Sequence, residues 1–325
     1  MIELLNKISA LRVLVIGDVM LDHYIMGDAY RISPEAPVPI VAVEEDKYTL
    51  GAAANVACNA AHLGCATEVA GKIGNDRSGV LLKTLLEQNN IAIDSRFECD
   101  GVTTITKARV VVRGQQLCRI DREKKKSHYE ISERDLLDEI CKKIQSVDVV
   151  ILSDYAKGTL TSENVARFIA AAGEKILTAI DPKPINGLKF YGASLMTPNK
   201  LEAAQMAGFD PVSRDDFSLE EICEKIMEKY APQNLVVTLG SEGMLVCGGD
   251  GKIYRIPTYA EEVFDVSGAG DTSIACLALA LAAGASLIRA AKFANLAAGI
   301  VVSKHGTTAI SPSELLRRRH ANLVL

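Results

Sequence analysis

The chain has 325 residues, of which 48% are hydrophobic and 24% charged, and its net charge is -5. This composition is typical of a globular protein with a substantial core, and it excludes disordered and fibrous chains. The only basic runs noted are short, at 124–126 and 317–319. Without a basic stripe, we expect no nucleic-acid partner.

The eight cysteines form no C-x-x-C pair, which suits reduced thiols in a cytoplasmic protein. The first apolar run is short and leads into Gly17 and Asp18 rather than a small-residue cleavage site, so a signal peptide is not predicted. No uninterrupted apolar stretch of about 18 residues occurs, so we predict no membrane partner.

Short apolar runs that end at polar or glycine residues predict buried strands. In chain order they are 13–16, 67–71, 147–152, 177–180, 194–196 and 235–238. Helical periodicity predicts helices between them, at 53–63, 77–88, 133–144, 162–172, 200–207, 219–230, 272–283 and 287–303. This alternation predicts an α/β fold with a mostly parallel sheet covered by helices on both faces.

Two segments break the alternation and predict a second, smaller sheet. Residues 22–43 contain three prolines among alternating apolar residues, and residues 103–121 alternate before a turn at Gly114. We interpret both segments as antiparallel strands that pair with each other. A small sheet beside the mouth of an α/β domain can act as a lid.

The strongest functional signal is the sequence D-V-S-G-A-G-D-T at 265–272, ahead of an apolar helix. The glycines free the backbone, so the amides of Gly268, Ala269 and Gly270 can converge on a phosphate at a helix N-terminus. Asp271 would repel that phosphate unless it has a role. We predict that it is the base that accepts a proton from an attacking hydroxyl. The alternative is that Asp271 only caps the helix.

Two weaker signals follow other predicted strands. Asp18, Gly51 and Asn55 suit the hydroxyls of a polyol, although a turn aspartate and a helix cap explain the same pattern. Asn199 and Glu202 suit Mg²⁺ held through water near nucleotide phosphates. Their spacing fits a helix capping box equally well.

Together these motifs resemble the ribokinase-like (pfkB) carbohydrate kinases. The sequence at 265–272 matches the C-terminal signature of that family, and 51–55 matches an N-terminal glycine segment. Further segments look like the heptose 7-phosphate kinases of the family, at 17–22, 31–39, 152–158 and 181–183. We therefore interpret 1–325 as one kinase domain, with a lid at about 22–43 and 103–121.

The resemblance implies a three-layer α/β sandwich with a β-sheet lid. It implies transfer of the γ-phosphoryl group of ATP, with Mg²⁺, to O1 of D-glycero-β-D-manno-heptose 7-phosphate. The product would serve ADP-heptose and lipopolysaccharide core synthesis. The chain ends after the kinase pattern, so a separate nucleotidyltransferase is expected for the adenylyl step.

The resemblance also assigns residues, with Asp271 as the base and the amides of Gly268 to Gly270 as the anion hole. Sugar contacts would come from Asp18, Gly51, Asn55 and Lys157. The nucleotide and Mg²⁺ would be served by Asn199, Glu202, Thr238, Gly240, Gly243 and Asn295. A K⁺ ion would use Asp265, Ser267 and the backbone at 305–306. An anionic sugar needs a cationic partner, for which the candidates are Arg31, Arg119, Lys157 and Lys183.

The chain departs from the family pattern at Ala52, where a second glycine is usual. The methyl group of Ala52 is added where the backbone approaches the sugar, so the orientation of the bound sugar could differ from that in the family. Two alternatives to a heptose kinase stay open. One is another sugar or sugar-phosphate kinase of the same fold. The other is a non-catalytic sugar- or nucleotide-binding regulator, which would have no need of Asp271.

Because exposed lid edges would be protected by pairing between subunits, a homodimer is expected.

Overall fold

The computed structural model describes residues 1–210, 218–249, 251–304 and 306–318. The strands are, in chain order, β1 (Arg12–Gly17), β2 (Val19–Ile32), β3 (Pro39–Ala52), β4 (Ala66–Ala70), β5 (Ile73–Gly74), β6 (Ile91–Ile93), β7 (Glu98–Cys99), β8 (Ile105–Val112), β9 (Gln115–Arg122), β10 (Val149–Ser153), β11 (Leu177–Asp181), β12 (Leu195–Met196), β13 (Asn234–Thr238), β14 (Met244–Gly248) and β15 (Ile253–Ile256). The helices are α1 (Ile2–Ile8), α2 (Ala53–His62), α3 (Arg77–Gln88), α4 (Arg134–Ile144), α5 (Ser162–Ala172), α6 (Lys200–Ala207), α7 (Leu219–Tyr230), α8 (Ala269–Ala282), α9 (Leu287–Val301) and α10 (Pro312–Arg317).

Nine strands form the central sheet, in the order β15-β14-β13-β12-β11-β10-β1-β4-β6. The strands from β6 to β13 in this order are parallel, and β14 and β15 are antiparallel. The six strands predicted from the sequence are confirmed as β1, β4 and β10 to β13. Neither β14 nor β15 was predicted, because β13 returns through a tight turn at 240–243 instead of a helix.

The sheet is buried on both faces, as the wholly apolar strands predicted. Along β1, Val13 and Val15 pack into one core cluster, while Leu14 and Ile16 pack into another. Helices α2, α8 and α9 supply the first cluster, and α4 to α7 supply the second. The parallel arrangement places the carboxyl ends of β1, β10, β11 and β13 along one edge of the sheet, where α8 begins.

The lid is a four-stranded sheet with the order β3-β2-β8-β9. The two sequence excursions do pair with each other, but the prediction of antiparallel pairing was wrong at the join, since β2 and β8 run parallel. The lid is also longer than predicted, because β2 follows β1 after the single residue Asp18. Val19 and Leu21 are fully buried, so the first residues of the lid strand β2 belong to the core of the domain.

Helix α8 begins earlier than predicted. Gly268 is its N-cap, with a left-handed φ of 78°, and the helix starts at Ala269. Gly270 and Asp271 therefore belong to the first helical turn rather than to a loop before it. Within the described ranges, no helix is both long and apolar enough to cross a bilayer.

Candidate functional site

Asp271 lies in the first turn of α8 and is 2% exposed. Its Oδ2 accepts a hydrogen bond from Asn55 Nδ2 at 2.7 Å, and its Oδ1 accepts one from Tyr155 Oη at 2.6 Å. Helix α2 and the loop after β10 thus fix the carboxylate from two sides. The capping alternative was wrong, because the N-cap of α8 is Gly268 and makes no side-chain cap bond.

The environment of Asp271 raises the pKa of its carboxyl group to about 6. Burial is the main cause, and the negative charge of Asp22 adds to it. The hydrogen bonds from Asn55 and Tyr155 and the charge of Lys107 oppose the shift. A carboxylate with this pKa is ionised at neutral pH but accepts a proton more readily than a surface aspartate does.

The structure gives Asp18 a different role from the predicted sugar contact. The residue is fully buried. Its carboxylate accepts hydrogen bonds from the backbone amides of Tyr155 and Lys157 at 2.9 Å and of Thr159 at 3.0 Å. These bonds occupy the carboxylate, so Asp18 shapes the loop that carries Tyr155. Asn55 likewise orients Asp271, and it lies inside α2 rather than capping it.

A second carboxylate at this edge, Asp22 on β2, was missed by the sequence reasoning. It accepts hydrogen bonds from Arg109 Nη1 at 2.6 Å and from Thr307 Oγ1 at 3.1 Å. A side chain at Gly51 would place Cβ 2.7 Å from Asp22 Oδ2. The available signal was the position of Asp22 at the end of the 17–22 segment, four residues after Asp18. Asp22, rather than Asp18, is the aspartate that adjoins Gly51.

The two glycines of the motif serve different purposes. Gly268 needs its positive φ, and a Cβ there would lie 2.7 Å from Asn55 Nδ2. Gly270 is helical, and a Cβ there would meet no atom within 4 Å. The prediction that both glycines curl the backbone was therefore wrong for Gly270. Ala52 adopts φ 51°, so this chain places alanine in a conformation that favours glycine.

An apolar cavity of about 390 Å³ lies on one side of the α8 N-terminus. All four residues predicted to line a nucleotide pocket lie there together, namely Thr238, Gly240, Gly243 and Asn295. Asn295 Nδ2 also donates to Pro257 O at 2.8 Å, which holds the loop after β15. Apolar walls from Met244 and Val302 suit a flat aromatic base.

A polar cavity of about 170 Å³ lies on the other side of Gly270. Gly270 and Thr238 line both cavities, so the two meet at the α8 N-terminus. Asn199 and Glu202 form the capping box, with bonds of 2.9 Å in each direction. Lys183 Nζ pairs with Glu202 Oε1 at 2.6 Å. Lys183 therefore lies beside the polar cavity and not with Asp22 and Gly51, which corrects its assignment as a sugar ligand.

Carboxylates crowd this polar cavity. Burial and the charges of Glu202 and Asp271 hold the pKa of Asp181 well above its usual range, and burial raises that of Asp154 to about 6. In the described part of the chain, no three His, Cys, Asp or Glu side chains are grouped so as to bind a metal ion directly. The arrangement fits a cation held through water and a ligand's phosphates.

Asp265 joins the two segments predicted to bind K⁺. Its carboxylate accepts from the Ser267 amide at 2.9 Å and from the Gly306 amide at 3.0 Å. The carboxylate oxygens therefore already have donors, and a cation here would depend on nearby carbonyl groups. His305, the other predicted contributor, lies outside the described residues.

Two of the remaining predicted cations, Lys157 and Arg119, are paired with carboxylates, and the third, Arg31, lies far along β2. Lys157 Nζ pairs with Glu123 at 2.5 Å, and Arg119 Nε pairs with Asp121 at 2.8 Å. Arg31 is exposed near the end of β2, opposite Ile40. It lies nine residues beyond Asp22, or about 30 Å along a strand. Arg31 thus lies away from Asp22 and Gly51 along β2, and its contact with the sugar stays a prediction.

Comparison with known proteins supports a kinase assignment. Residues 10–314 match the pfkB family of carbohydrate kinases. The bifunctional protein HldE of Sulfurimonas denitrificans is 42% identical over 305 residues, which are 94% of this chain and 63% of that protein. The chain thus spans less than two thirds of the length of this relative.

Solved structures show the same fold at lower identity. Ribokinase of Arabidopsis thaliana, solved with ribose and ATP, has a TM-score of 0.73 and 20% identity, covering 95% of this chain and 98% of that one. Phosphofructokinase-2 of Escherichia coli, solved with potassium, has a TM-score of 0.73 and 18% identity, covering 94% and 97%. The expected ribokinase-like sandwich with a small separate sheet is confirmed.

Proposed function

The chain belongs to the pfkB family of carbohydrate kinases, and on that premise we propose that it phosphorylates D-glycero-β-D-manno-heptose 7-phosphate at O1, with ATP as donor. The 1,7-bisphosphate would then serve ADP-heptose and lipopolysaccharide core synthesis. The observation that carries the kinase chemistry is the fixed, buried Asp271, which directly follows Gly270, a residue that lines both cavities. The segment at 31–39 and the identity to the HldE protein support the heptose acceptor.

In the proposed reaction, the acceptor hydroxyl lies against Asp271 and gives up its proton as it attacks the γ-phosphorus. Asn55 and Tyr155 hold the carboxylate towards that hydroxyl. The anion hole is proposed to rest on Gly268 and Gly270, because the Ala269 amide already donates to Val266 O at 3.2 Å. The positive end of α8 favours the charge that develops there.

We assign the nucleotide base to the apolar cavity and its phosphates to the side facing Gly270. Mg²⁺ would neutralise phosphate charge, and Asn199 and Glu202 would hold it through water. K⁺ near Asp265 and Ser267 would support the anion hole. The sugar hydroxyls are assigned to Asp22, with Gly51 leaving room for the ring.

Acceptor identity is tested by measuring ATP turnover with a panel of sugars and sugar phosphates. We expect kcat/KM for the heptose 7-phosphate to exceed that for ribose and fructose 6-phosphate by at least about 100-fold. Turnover of ribose or fructose 6-phosphate without turnover of the heptose would instead make this another sugar kinase of the fold. If the protein binds sugar and nucleotide but turns over no acceptor, the result would favour a non-catalytic sugar- or nucleotide-binding regulator.

We further propose that the chain forms a homodimer through its lid. The lid exposes a set of large apolar side chains, namely Ile32, Val38, Val43, Leu117 and Ile120. Light scattering should give a mass of about 70 kDa, twice the 34.9 kDa of the chain. Val43→Lys should halve that mass, whereas Val80→Lys, at an equally exposed valine on α3, should not. A wild-type mass near 35 kDa would contradict the dimer.

A further inference from the structure

Lys107 on β8 is a lid cation with no role in the reaction as described so far. It lies opposite Asp22 in the parallel pairing of β2 and β8, and it is half-buried. Its Nζ lies 5.2 Å from the centroid of the Tyr155 ring. Among the residues that the structure describes, Lys107 makes no ion pair of its own. Its ammonium group therefore lies beside Tyr155, a residue that contacts Asp271, without an ion-pair partner.

The neighbouring cations differ in this respect. Arg109 pairs with Asp22 at 2.6 Å, and, as described above, Arg119 and Lys157 also have carboxylate partners. Of these four lid-side cations, Lys107 is thus the one without a carboxylate partner at ion-pair distance among the described residues. A half-buried ammonium without a partner is unfavourable in the free protein. An anionic ligand would supply the missing charge.

The electrostatic surroundings agree with this description. Burial lowers the pKa of Lys107, and the charges of Lys157 and Arg119 lower it further. The charges of Asp22 and Asp121 raise it but do not offset the other effects. A bound phosphate would reverse this balance and keep the ammonium group charged.

The separation of Lys107 and Asp271 is compatible with an acceptor that carries a phosphate at its far end. The Tyr155 ring lies between them, with Lys107 Nζ 5.2 Å from its centroid and its hydroxyl 2.6 Å from Asp271. Adding the half-length of a tyrosine side chain, Nζ and the carboxylate are at most about 11 Å apart. In an extended heptose 7-phosphate, seven bonds of about 1.5 Å each join O1 to phosphorus, a span of roughly 8–9 Å. A phosphate at the far end of such an acceptor reaches Lys107 while O1 lies at Asp271.

We propose that Lys107 binds the phosphate at the far end of the acceptor sugar and thereby selects sugar phosphates over unphosphorylated sugars. The inference rests on the proposed kinase reaction and identifies the residue that recognises the negative charge of the acceptor's phosphate. A charge-assisted bond from a half-buried ammonium to a phosphate is strong enough to set such a preference. None of Arg31, Lys157 and Lys183 has an ammonium or guanidinium group free for this purpose beside Tyr155.

The experiment compares kcat/KM for the heptose 7-phosphate and for the same heptose without its phosphate. Lys107→Met should lower the first value by about 10–100-fold, mainly through KM, and leave the second within about twofold. Lys107→Arg should recover most of the loss. Arg113→Met is the matched control, because Arg113 is a lid cation already paired with Asp28 at 2.6 Å. It should behave like the wild type with both acceptors.

Equal loss with both acceptors would overturn the inference, since Lys107 would then act only by supporting Tyr155 and Asp271. An unchanged Lys107→Met enzyme would overturn it as well. If the heptose 7-phosphate is not a substrate, the proposed acceptor fails separately, and Lys107 is tested with whichever sugar phosphate the wild type uses and its parent sugar. A wild-type enzyme that uses no sugar phosphate overturns the inference outright.

Discussion

Replacing Asp271 with asparagine is expected to lower kcat by about 10²–10⁴-fold while ATP binding stays close to that of the wild type. The amide is nearly the same size as the carboxylate, but it cannot accept the proton of the attacking hydroxyl. The raised pKa of Asp271 means that the ionised group destabilises the fold at neutral pH, an effect that fades as pH falls below about 6. Asp271→Asn should therefore not lower the midpoint of thermal unfolding at pH 7.

The pH profile provides a second measurement. In the wild type, log kcat/KM should fall with a slope approaching one unit per pH unit below about 6, as Asp271 becomes protonated. The residual activity of Asp271→Asn should lack this step. ATP affinity, measured by calorimetry on both proteins, is the control for an intact nucleotide site. A fully active Asp271→Asn enzyme would refute the proposed mechanism.

Gly268→Ala should reduce kcat by about 10–100-fold, because it disturbs the support of the base. The new Cβ would lie 2.7 Å from Asn55 Nδ2 and 3.0 Å from Thr307 Cγ2. Asn55 must then move away from Asp271. The left-handed φ of 78° adds strain, so we also expect a loss of about 1–3 kcal/mol in the free energy of unfolding.

Gly284→Ala is the matched control for this substitution. Gly284 follows the opposite end of α8 with φ 85°, and a Cβ there meets nothing within 4 Å. It should lose about 1 kcal/mol of stability and keep wild-type kcat. If the two variants lose equal activity, backbone strain alone explains the effect, and the link from Gly268 through Asn55 to Asp271 is wrong.

The parallel body of the fold was predictable because its signals are local. Runs such as 13–16 are apolar throughout, short and β-branched, and they end at glycine and aspartate, which together favour a strand buried on both faces. The motif at 265–272 likewise carries its own glycines and its aspartate. By contrast, β14 and β15 add to the sheet through a turn that strand–helix alternation does not anticipate. The parallel join of β2 to β8 depends on pairing between segments more than eighty residues apart.

Individual site residues were harder to predict because their roles depend on partners elsewhere in the chain. Asp18 has the residue type of a sugar ligand, yet three backbone amides from the 155–159 loop occupy it. Lys183 follows a strand as a substrate ligand would, but Glu202 pairs with it. Tyr155 gave no signal of its own, since its contact with Asp271 spans 116 residues. The types of residue at the strand ends predict which edge of the sheet carries the site. Tertiary contacts decide which of those side chains remain free to contact a ligand.

The long-range contacts of the site have a consequence for when the site forms during synthesis. Asn55 and Asp271 are 216 residues apart in the chain, and Asp22 and Thr307 are 285 apart. Contacts of such long separation, in a mostly parallel sheet, form late and slowly during folding. Asp271 therefore gains its hydrogen-bond partner Asn55 only when nearly the whole polypeptide has left the ribosome and folded. A partly synthesised chain therefore has no assembled site at the start of α8.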